Sequence, residues 1–277
     1  MQSGAIFVDQ VVFNLELPKA EVEVIPGVPW GAVEVFPTPA YWAYQVYARR
    51  LAGDRINYKL GTTLKEEVGA CLLGGHGIPA SMGIAAFQHL KDRGAFGERP
   101  PAEEVLLKWL EEPITINGKQ LKYRFAKQKA RYLNAALQKL HAVQPPLSSG
   151  KALRDWLLEI PGIGYKTASW VARNWLDADD VAILDIHILR AGRLGGFFES
   201  NLTVERNYLQ LEEQFIRFSK GLGVRASELD ALIWLEMMSS PATVHAMMGI
   251  GPSDSELATH RRAKKRKAYS GQLALIA

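Results

Sequence analysis

The sequence Pro161-Gly162-Ile163-Gly164 constrains the fold of this chain more than any other stretch. Two glycines in four positions permit a tight reversal with positive φ, and they keep side chains off the surface of the turn. An apolar segment precedes the turn, and an amphipathic helix begins at Tyr165 or Lys166. The pattern predicts two helices joined by a hairpin, with the first N–H groups of the second helix able to bind a phosphate. A plain helix–helix turn is the alternative that these four residues alone leave open.

A second constraint is the apolar run 181–184, which is followed by Asp185 at the start of another helix, nineteen positions after Lys166. The run predicts that the carboxylate is buried, and the helix N-terminus favours its anionic form. An aspartate at this position is also an ordinary helix cap, and one residue can both cap a helix and take part in catalysis. A glycine hairpin, a lysine and a carboxylate together indicate chemistry on DNA.

The composition excludes several classes of protein. No apolar run reaches the roughly 18 residues of a membrane-spanning helix, and the first residues lack the pattern of a secretory signal. The single cysteine, Cys71, excludes an internal disulfide framework and a four-cysteine metal or iron–sulfur site. We therefore expect a cytoplasmic protein, associated with the nucleoid if the organism is prokaryotic.

Positive charge is concentrated near the end of the sequence. The chain carries a formal net charge of +4, and residues 261–267 alone contribute six positive charges. The remainder is therefore slightly acidic, so that any nucleic-acid surface on it must be local. The basic run is either a solvated tail or a contact with backbone phosphate that adds salt-dependent affinity.

The order of the patterns predicts a mainly α protein with a small antiparallel β element at its N-terminus. β-Branched and alternating residues predict strands at 5–8, 11–17 and 21–25. Helical periodicity and glycine or proline stops predict helices at 39–51, 65–73, 79–94, 103–110, 125–143, 150–159, 165–176, 185–194, 204–219 and 226–238. We expect three parts, which are a β element at 1–37, a helical domain at 38–252 and a basic tail at 253–277.

Residues 158–168 and 181–187 together resemble the signature of the helix-hairpin-helix DNA glycosylase superfamily, and weaker similarity extends from 74 to 238. Lys166 and the Asp-x-His order of Asp185 and His187 resemble the 8-oxoguanine glycosylase branch. The lack of a cysteine cluster separates the chain from the iron–sulfur branch. The resemblance implies the helix-hairpin-helix glycosylase fold.

The same resemblance implies a bifunctional DNA glycosylase/AP lyase that excises an oxidised purine, with 8-oxoguanine as the leading candidate, from duplex DNA. The target nucleotide would be flipped into a pocket. Lys166 would be the nucleophile that forms a Schiff base, and Asp185 would activate it and stabilise the positive charge on the sugar. A phosphate-binding lysine is the alternative for Lys166. The expected protein is a monomer that needs no metal or organic cofactor.

Further site residues follow from the resemblance. The residues expected at the DNA backbone are Gly162, Ile163, Gly164, His187, Lys129 and Arg131. Those expected to hold the flipped base are Trp170, Trp234 and Asp230, whose carboxylate suits the two donors on the guanine edge. Those expected to fill the gap in the base stack are His76 and Gln128.

Each of these assignments has a plain structural alternative. Trp170 would equally suit the core, His187 a satisfied structural position and Asp230 the protein surface. Gln128, Lys129 and Arg131 would equally suit a solvated helix face. Two other functions also stay open, which are the excision of another modified base, such as a hypermodified base in foreign DNA, and a DNA-binding module without catalysis.

Overall fold

The computed structural model describes residues 1–53, 59–75 and 77–249. These residues form two compact units. The terminal unit contains residues 1–53 and 184–249, and the central unit contains 59–75 and 77–183. His76 and the basic run 261–267 lie outside the described residues. The predicted part limits at 37/38 and 252/253 stay predictions.

The described residues form six short strands and eleven helices. The strands are β1 (Gln2–Val8), β2 (Val11–Leu17), β3 (Glu23–Ile25), β4 (Val28–Pro29), β5 (Ile114–Ile116) and β6 (Lys119–Leu121). The helices are α1 (Pro39–Leu51), α2 (Leu64–Leu73), α3 (Ala80–Lys91), α4 (Glu103–Glu111), α5 (Ala126–Ala142), α6 (Gly150–Leu157), α7 (Tyr165–Leu176), α8 (Ile186–Leu194), α9 (Val204–Leu222), α10 (Ala226–Ser239) and α11 (Pro241–Met247). No helix in this described part is long and apolar enough to cross a membrane.

The predicted mainly helical fold is confirmed. Helices α1 and α7 have the predicted bounds, and the other eight predicted helices end within three residues of the prediction. The β5–β6 hairpin was not predicted; its turn residues Asn117 and Gly118 both have positive φ, at 50° and 75°. This Asn-Gly pair is the usual turn of a two-residue β-hairpin. Helix α11 was also missed.

Helix α2 lies in the core of the central unit, where it packs against α3, α5 and α7. Its N-cap is Thr63, whose hydroxyl accepts a hydrogen bond from the N–H of Glu66 at 3.2 Å. Leucines from five helices fill the space around it at full burial, which are Leu72, Leu73, Leu90, Leu106, Leu110, Leu133, Leu137, Leu153 and Leu157. Helix α7 packs against α2 and against α6 in this core.

Helix α10 is the centre of the terminal unit, where it packs against α8, α9 and α1. Arg50 of α1 forms an ion pair with Glu228 of α10. Phe197 and Phe218 stack with ring centroids 3.9 Å apart and planes 9° from parallel. The β1–β2 hairpin pairs antiparallel from Gln2 opposite Leu17 to Val8 opposite Val11, and β1 contacts α1. These contacts give the terminal unit its own core.

Candidate active site

The predicted hairpin is present in the central unit between α6 and α7. The N–H of Ile163 donates to the carbonyl of Ile160 at 3.1 Å, which closes the turn. Gly162 has a φ of +85°, a left-handed conformation that glycine adopts without strain. The side chain of Ile163 is buried and anchors the turn in the apolar core. Gly164 then caps α7 without any side chain to cover the first turn of that helix.

Tyr132 of α5 holds the hairpin in place by close packing. A Cβ atom added to Gly162 would lie 2.1 Å from Cδ2 of the Tyr132 ring, so the ring rests directly on this glycine. Gln128 donates a hydrogen bond to the Tyr132 hydroxyl at 3.2 Å, and the Arg131 guanidinium lies 5.2 Å from the ring centroid. The aromatic ring therefore joins the hairpin to Arg131. No pattern around Tyr132 in the sequence points to this contact, because it depends on how α5 packs.

The backbone N–H groups of the hairpin fall into two kinds. The N–H of Ile163 is used inside the turn, whereas the N–H groups of Gly162 and Gly164 have no acceptor within the described residues. Gly162 and Gly164 are exposed, and there is open space where a Cβ of Gly164 would lie. The two glycines thus offer donors to an anion, whereas Ile163 serves the turn with both its side chain and its N–H.

Lys166 lies in the first turn of α7, and its side chain is exposed. The neighbouring Gly164 and Tyr165 are exposed as well, and burial along α7 begins at Ala168.

Trp170 follows Lys166 by one helical turn and is partly buried against the apolar core of the central unit. A Cβ added to Gly74, at the end of α2, would lie 3.7 Å from Cη2 of this indole. Trp170 therefore packs beside Gly74, two positions before His76 in the sequence. His76, which was predicted to fill the gap in the base stack, lies outside the described residues.

One buried carboxylate that contacts α7, that of Glu67, was not predicted from the sequence. Glu67 of α2 has no exposed surface. Its Oε2 accepts hydrogen bonds from the N–H groups of Leu60 and Gly61 at 2.7 and 2.8 Å, and its Oε1 accepts one from Asn174 Nδ2 at 2.8 Å. Asn174 lies two turns after Lys166 on the same helix. The sequence places Asn174 on the same helix as Lys166, but it does not show that Asn174 donates to Glu67 of α2.

Lys129 of α5 has its ammonium group inside the protein rather than on a solvated face. Its Nζ donates to the carbonyls of Leu72 and Gly74, at 2.6 and 3.2 Å. These carbonyls end α2, where a positive charge is favourable. Burial lowers the pKa of Lys129 below its ordinary value. The contacts favour a structural role for Lys129 over the predicted DNA contact, while Gln128 and Arg131 on the same helix are exposed.

In the terminal unit, Asp185 is the N-cap of α8. Its Oδ1 accepts hydrogen bonds from the N–H groups of His187 and Ile188, at 2.8 and 3.2 Å. The sequence predicted a buried carboxylate, and the residue is half-buried, because it lies between the apolar run and the exposed Ile186 at the start of α8. The cap geometry confirms the structural role of this residue, and it holds the carboxylate in one orientation.

Two of the three side chains predicted to hold the base, Asp230 and Trp234, lie one turn apart on α10, and His187 of α8 contacts Trp234. The rings of His187 and Trp234 meet edge to face with centroids 6.4 Å apart. Asp230, one turn before Trp234, is only 2% exposed, so the alternative of a surface aspartate is wrong. A buried carboxylate is costly unless it has polar partners, and such positions are typical of functional sites.

These features first define a class, that of proteins built on a helix-hairpin-helix whose second helix carries an exposed lysine. A family model described as 8-oxoguanine DNA glycosylase matches residues 61–224. The chain therefore belongs to the 8-oxoguanine DNA glycosylase family. The matched range contains the hairpin, Lys166 and Asp185, whereas Asp230 and Trp234 lie beyond it.

Individual relatives agree with the family. The chain is 34% identical over 133 residues to the 8-oxoguanine DNA glycosylase/AP lyase of Methanocaldococcus jannaschii, over 44% of this chain and 61% of that protein. It is 35% identical over 121 residues to the same enzyme of Thermoplasma acidophilum, over 43% of this chain and 58% of that protein. The match thus spans about three-fifths of the length of these relatives.

A solved structure with the same fold is that of the 8-oxoguanine DNA glycosylase of Thermotoga maritima. It superposes with a TM-score of 0.51 at 22% identity, and the match covers 71% of this chain and 95% of that chain. This likeness shows the fold, which is the helical glycosylase fold predicted from the sequence.

Proposed function

We propose that this protein is a bifunctional DNA glycosylase/AP lyase that removes an oxidised purine, 8-oxoguanine, from duplex DNA. The observation that carries the proposal is the family match over residues 61–224, which contains both Lys166 and Asp185. Relatives that match the chain are named 8-oxoguanine DNA glycosylase/AP lyase.

The proposed nucleophile is the Lys166 amine in its neutral form. It attacks C1′ of the damaged nucleotide, the bond from C1′ to the base breaks, and the base leaves with the electron pair and takes a proton. The C1′–O4′ bond of the sugar then breaks as the lysine nitrogen forms a C1′=N double bond, and O4′ takes a proton, which gives an open-chain Schiff base. Loss of a C2′ proton expels the 3′ phosphate by β-elimination, which cuts the strand. The exposed position of Lys166 beside the hairpin glycines supports this role, because a DNA strand can reach it.

The proposed part of Asp185 is to stabilise the positive charge that develops on the sugar and to take the proton of the attacking amine. The two cap hydrogen bonds support this role, because they hold the carboxylate oriented before any substrate binds. Both cap hydrogen bonds are accepted by Oδ1.

DNA is proposed to be held through its backbone by the hairpin. The N–H groups of Gly162 and Gly164 and the guanidinium of Arg131 are proposed to bind phosphate oxygens without reading the base sequence. The packing of Tyr132 supports this grouping, because the same ring lies against Gly162 and 5.2 Å from the guanidinium carbon of Arg131. His187 is proposed as a further phosphate contact.

The base is proposed to be recognised by Asp230 and stacked by Trp234, with Trp170 as a second aromatic wall. The two donors of a guanine edge, N1–H and N2–H₂, match a carboxylate. The burial of Asp230 one turn before Trp234 supports this assignment. Gln128 and His76 remain proposed to fill the gap in the stack. The monomeric state and cytoplasmic location remain predictions.

The test is single-turnover base release from duplexes that differ in one base, which is 8-oxoguanine, another oxidised base, a hypermodified base or unmodified guanine. We expect 8-oxoguanine to be released fastest. If a hypermodified base is released faster, that base and not 8-oxoguanine is the substrate. Binding without release of any base would indicate a non-catalytic module.

The carboxylate is tested by Asp185→Asn in the same assay. We expect release to fall by about 10²- to 10⁴-fold, the usual contribution of a group that moves a proton. DNA affinity should stay within about twofold, since the amide still accepts the cap hydrogen bonds through its oxygen. Release near the wild-type rate would remove Asp185 from the mechanism.

A further inference from the structure

The segment that leads into Asp185 depends on a buried tyrosine of another helix. Residues 182–185 form neither helix nor strand, and the N–H of Leu184 donates to the hydroxyl of Tyr208 on α9 at 3.2 Å. Leu184 is 1% exposed and Tyr208 is 5% exposed. A buried backbone N–H without an acceptor costs about 1–3 kcal/mol. The Tyr208 hydroxyl therefore fixes the peptide group that comes directly before Asp185.

Helix α9 is kinked directly before Tyr208. Asn207 has non-helical backbone angles, with φ −127° and ψ 30°, and its Oδ1 accepts a hydrogen bond from the N–H of Thr203 at 3.1 Å. The kink thus lies one residue before Tyr208 and is held by a side chain of its own turn. Because of this kink, the backbone at Tyr208 does not continue the direction of the first turn of α9.

Two anchors consequently define where the Asp185 carboxylate lies. On its N-terminal side, Tyr208 accepts the hydrogen bond of Leu184. On its C-terminal side, Oδ1 is held by the N–H groups of His187 and Ile188. A catalytic group must be held within about half an ångström of its productive position. The cap fixes the side chain relative to α8, and Tyr208 fixes the entry of the backbone into that helix.

We propose that Tyr208 is a positioning residue for Asp185, which acts through the backbone of Leu184 and contacts neither DNA nor the reacting atoms. The inference rests on the proposed function, since it concerns the carboxylate assigned to base excision there. The family match ends at residue 224 and includes both residues.

The test is Tyr208→Phe, which removes only the hydroxyl. We expect the single-turnover rate of base release to fall by about 10- to 100-fold, the usual result of a misplaced catalytic group. The dissociation constant for the duplex should stay within about twofold. The matched control is Tyr44→Phe, because Tyr44 lies in the same unit and its hydroxyl donates to the carbonyl of Ala5 at 2.6 Å. This control should retain the wild-type rate.

An equal rate in Tyr208→Phe and wild type would overturn the inference. So would an equal loss in Tyr44→Phe, since it would show a general effect of lost hydrogen bonds. A second readout does not need activity, and it is amide hydrogen exchange at Leu184, His187 and Ile188. We expect exchange at all three to become at least about tenfold faster in Tyr208→Phe.

Exchange also separates this inference from the proposed function. If the wild type releases no base, the proposed function fails, and faster exchange at His187 and Ile188 would still support the positioning of the Asp185 cap. Unchanged exchange at these two residues would overturn the inference whether or not the enzyme is active.

Discussion

The hairpin of the central unit and the Asp185 segment of the terminal unit hold their functional groups by different means. The hairpin is exposed, and it is fixed by the contact of the Tyr132 ring with Gly162 and by the buried side chain of Ile163. Asp185 is half-buried and is held by hydrogen bonds from the start of α8.

The difference follows from what each region is proposed to do. A turn that offers its N–H groups to a DNA backbone must be free of large side chains, so its rigidity has to come from packing underneath. A carboxylate that stabilises charge must be oriented, and hydrogen bonds give orientation where packing cannot. The comparison predicts that mutations of steric fit affect the hairpin most, whereas mutations of polar partners affect Asp185 most.

The largest expected effect on stability is that of Gly162→Ala. The added methyl group meets the Tyr132 ring at 2.1 Å, and the φ of +85° is unfavourable for alanine. We expect the free energy of unfolding to fall by about 3 kcal/mol, from overpacking and backbone strain together. Chemical denaturation measures this change.

The matched control is Gly164→Ala, two residues further on. Its φ is −98° and nothing lies within 4 Å of the added methyl group. We expect a change of less than about 0.5 kcal/mol in stability, together with weaker DNA binding. Equal stability losses in the two variants would mean that Tyr132 does not fix the hairpin.

A smaller effect is expected for Arg131→Ala, which leaves the hairpin intact and removes one charge beside it. The affinity for duplex DNA should fall by roughly threefold to tenfold, and the slope of log K against log salt should decrease in magnitude by about one. Fluorescence anisotropy at several salt concentrations measures both quantities.

Arg124→Ala is the control, because Arg124 is also exposed and lies 5.2 Å from the centroid of the neighbouring Phe125 ring. Its salt slope should match that of the wild type. The same change of slope in both variants would show that the hairpin does not select Arg131 as a phosphate contact.

The smallest expected effect depends on pH and concerns Glu66 of α2, in the core of the unit that contains the hairpin. Burial opposes the charge on Glu66, but hydrogen bonds from Lys91 and Thr62 outweigh it and lower the pKa of Glu66 below its ordinary value of 4.5. Because the folded pKa is the lower one, the stabilisation is present above pH 4.5 and is lost as the pH falls through the folded pKa.

We therefore expect Glu66→Gln to cost roughly 1 kcal/mol at pH 7, since Lys91 is partly exposed. The difference from wild type should close below pH 4.5. Glu104→Gln, an exposed residue in the first turn of α4, should show little difference at any pH. A gap for Glu66→Gln that persists at low pH would contradict the assigned cause.

Sequence alone predicted the elements whose signals are local. The two glycines and the periodicity after them placed the hairpin and α7, and the apolar run placed Asp185 at the start of α8. The β5–β6 hairpin had an equally local signal in Asn117 and Gly118, and it was missed because its strands are only three residues long.

The residues that support the site could not be predicted, because their roles depend on packing between distant segments. Tyr132 meets Gly162 across thirty positions, and Tyr208 meets Leu184 across twenty-four. The predicted roles of Lys129 and Lys166 show the same limit. Both are lysines on amphipathic helices, yet Lys129 donates to a carbonyl at the end of α2 and Lys166 is exposed.

The most direct test of the account is borohydride trapping on a duplex that contains 8-oxoguanine. The account predicts a covalent protein–DNA adduct for the wild type, and the same adduct for the control Lys151→Gln, which removes an exposed lysine of α6. It predicts no adduct for Lys166→Gln. An adduct that survives Lys166→Gln, or the absence of any adduct with wild-type protein that releases the base, would contradict the assignment of Lys166 as the nucleophile.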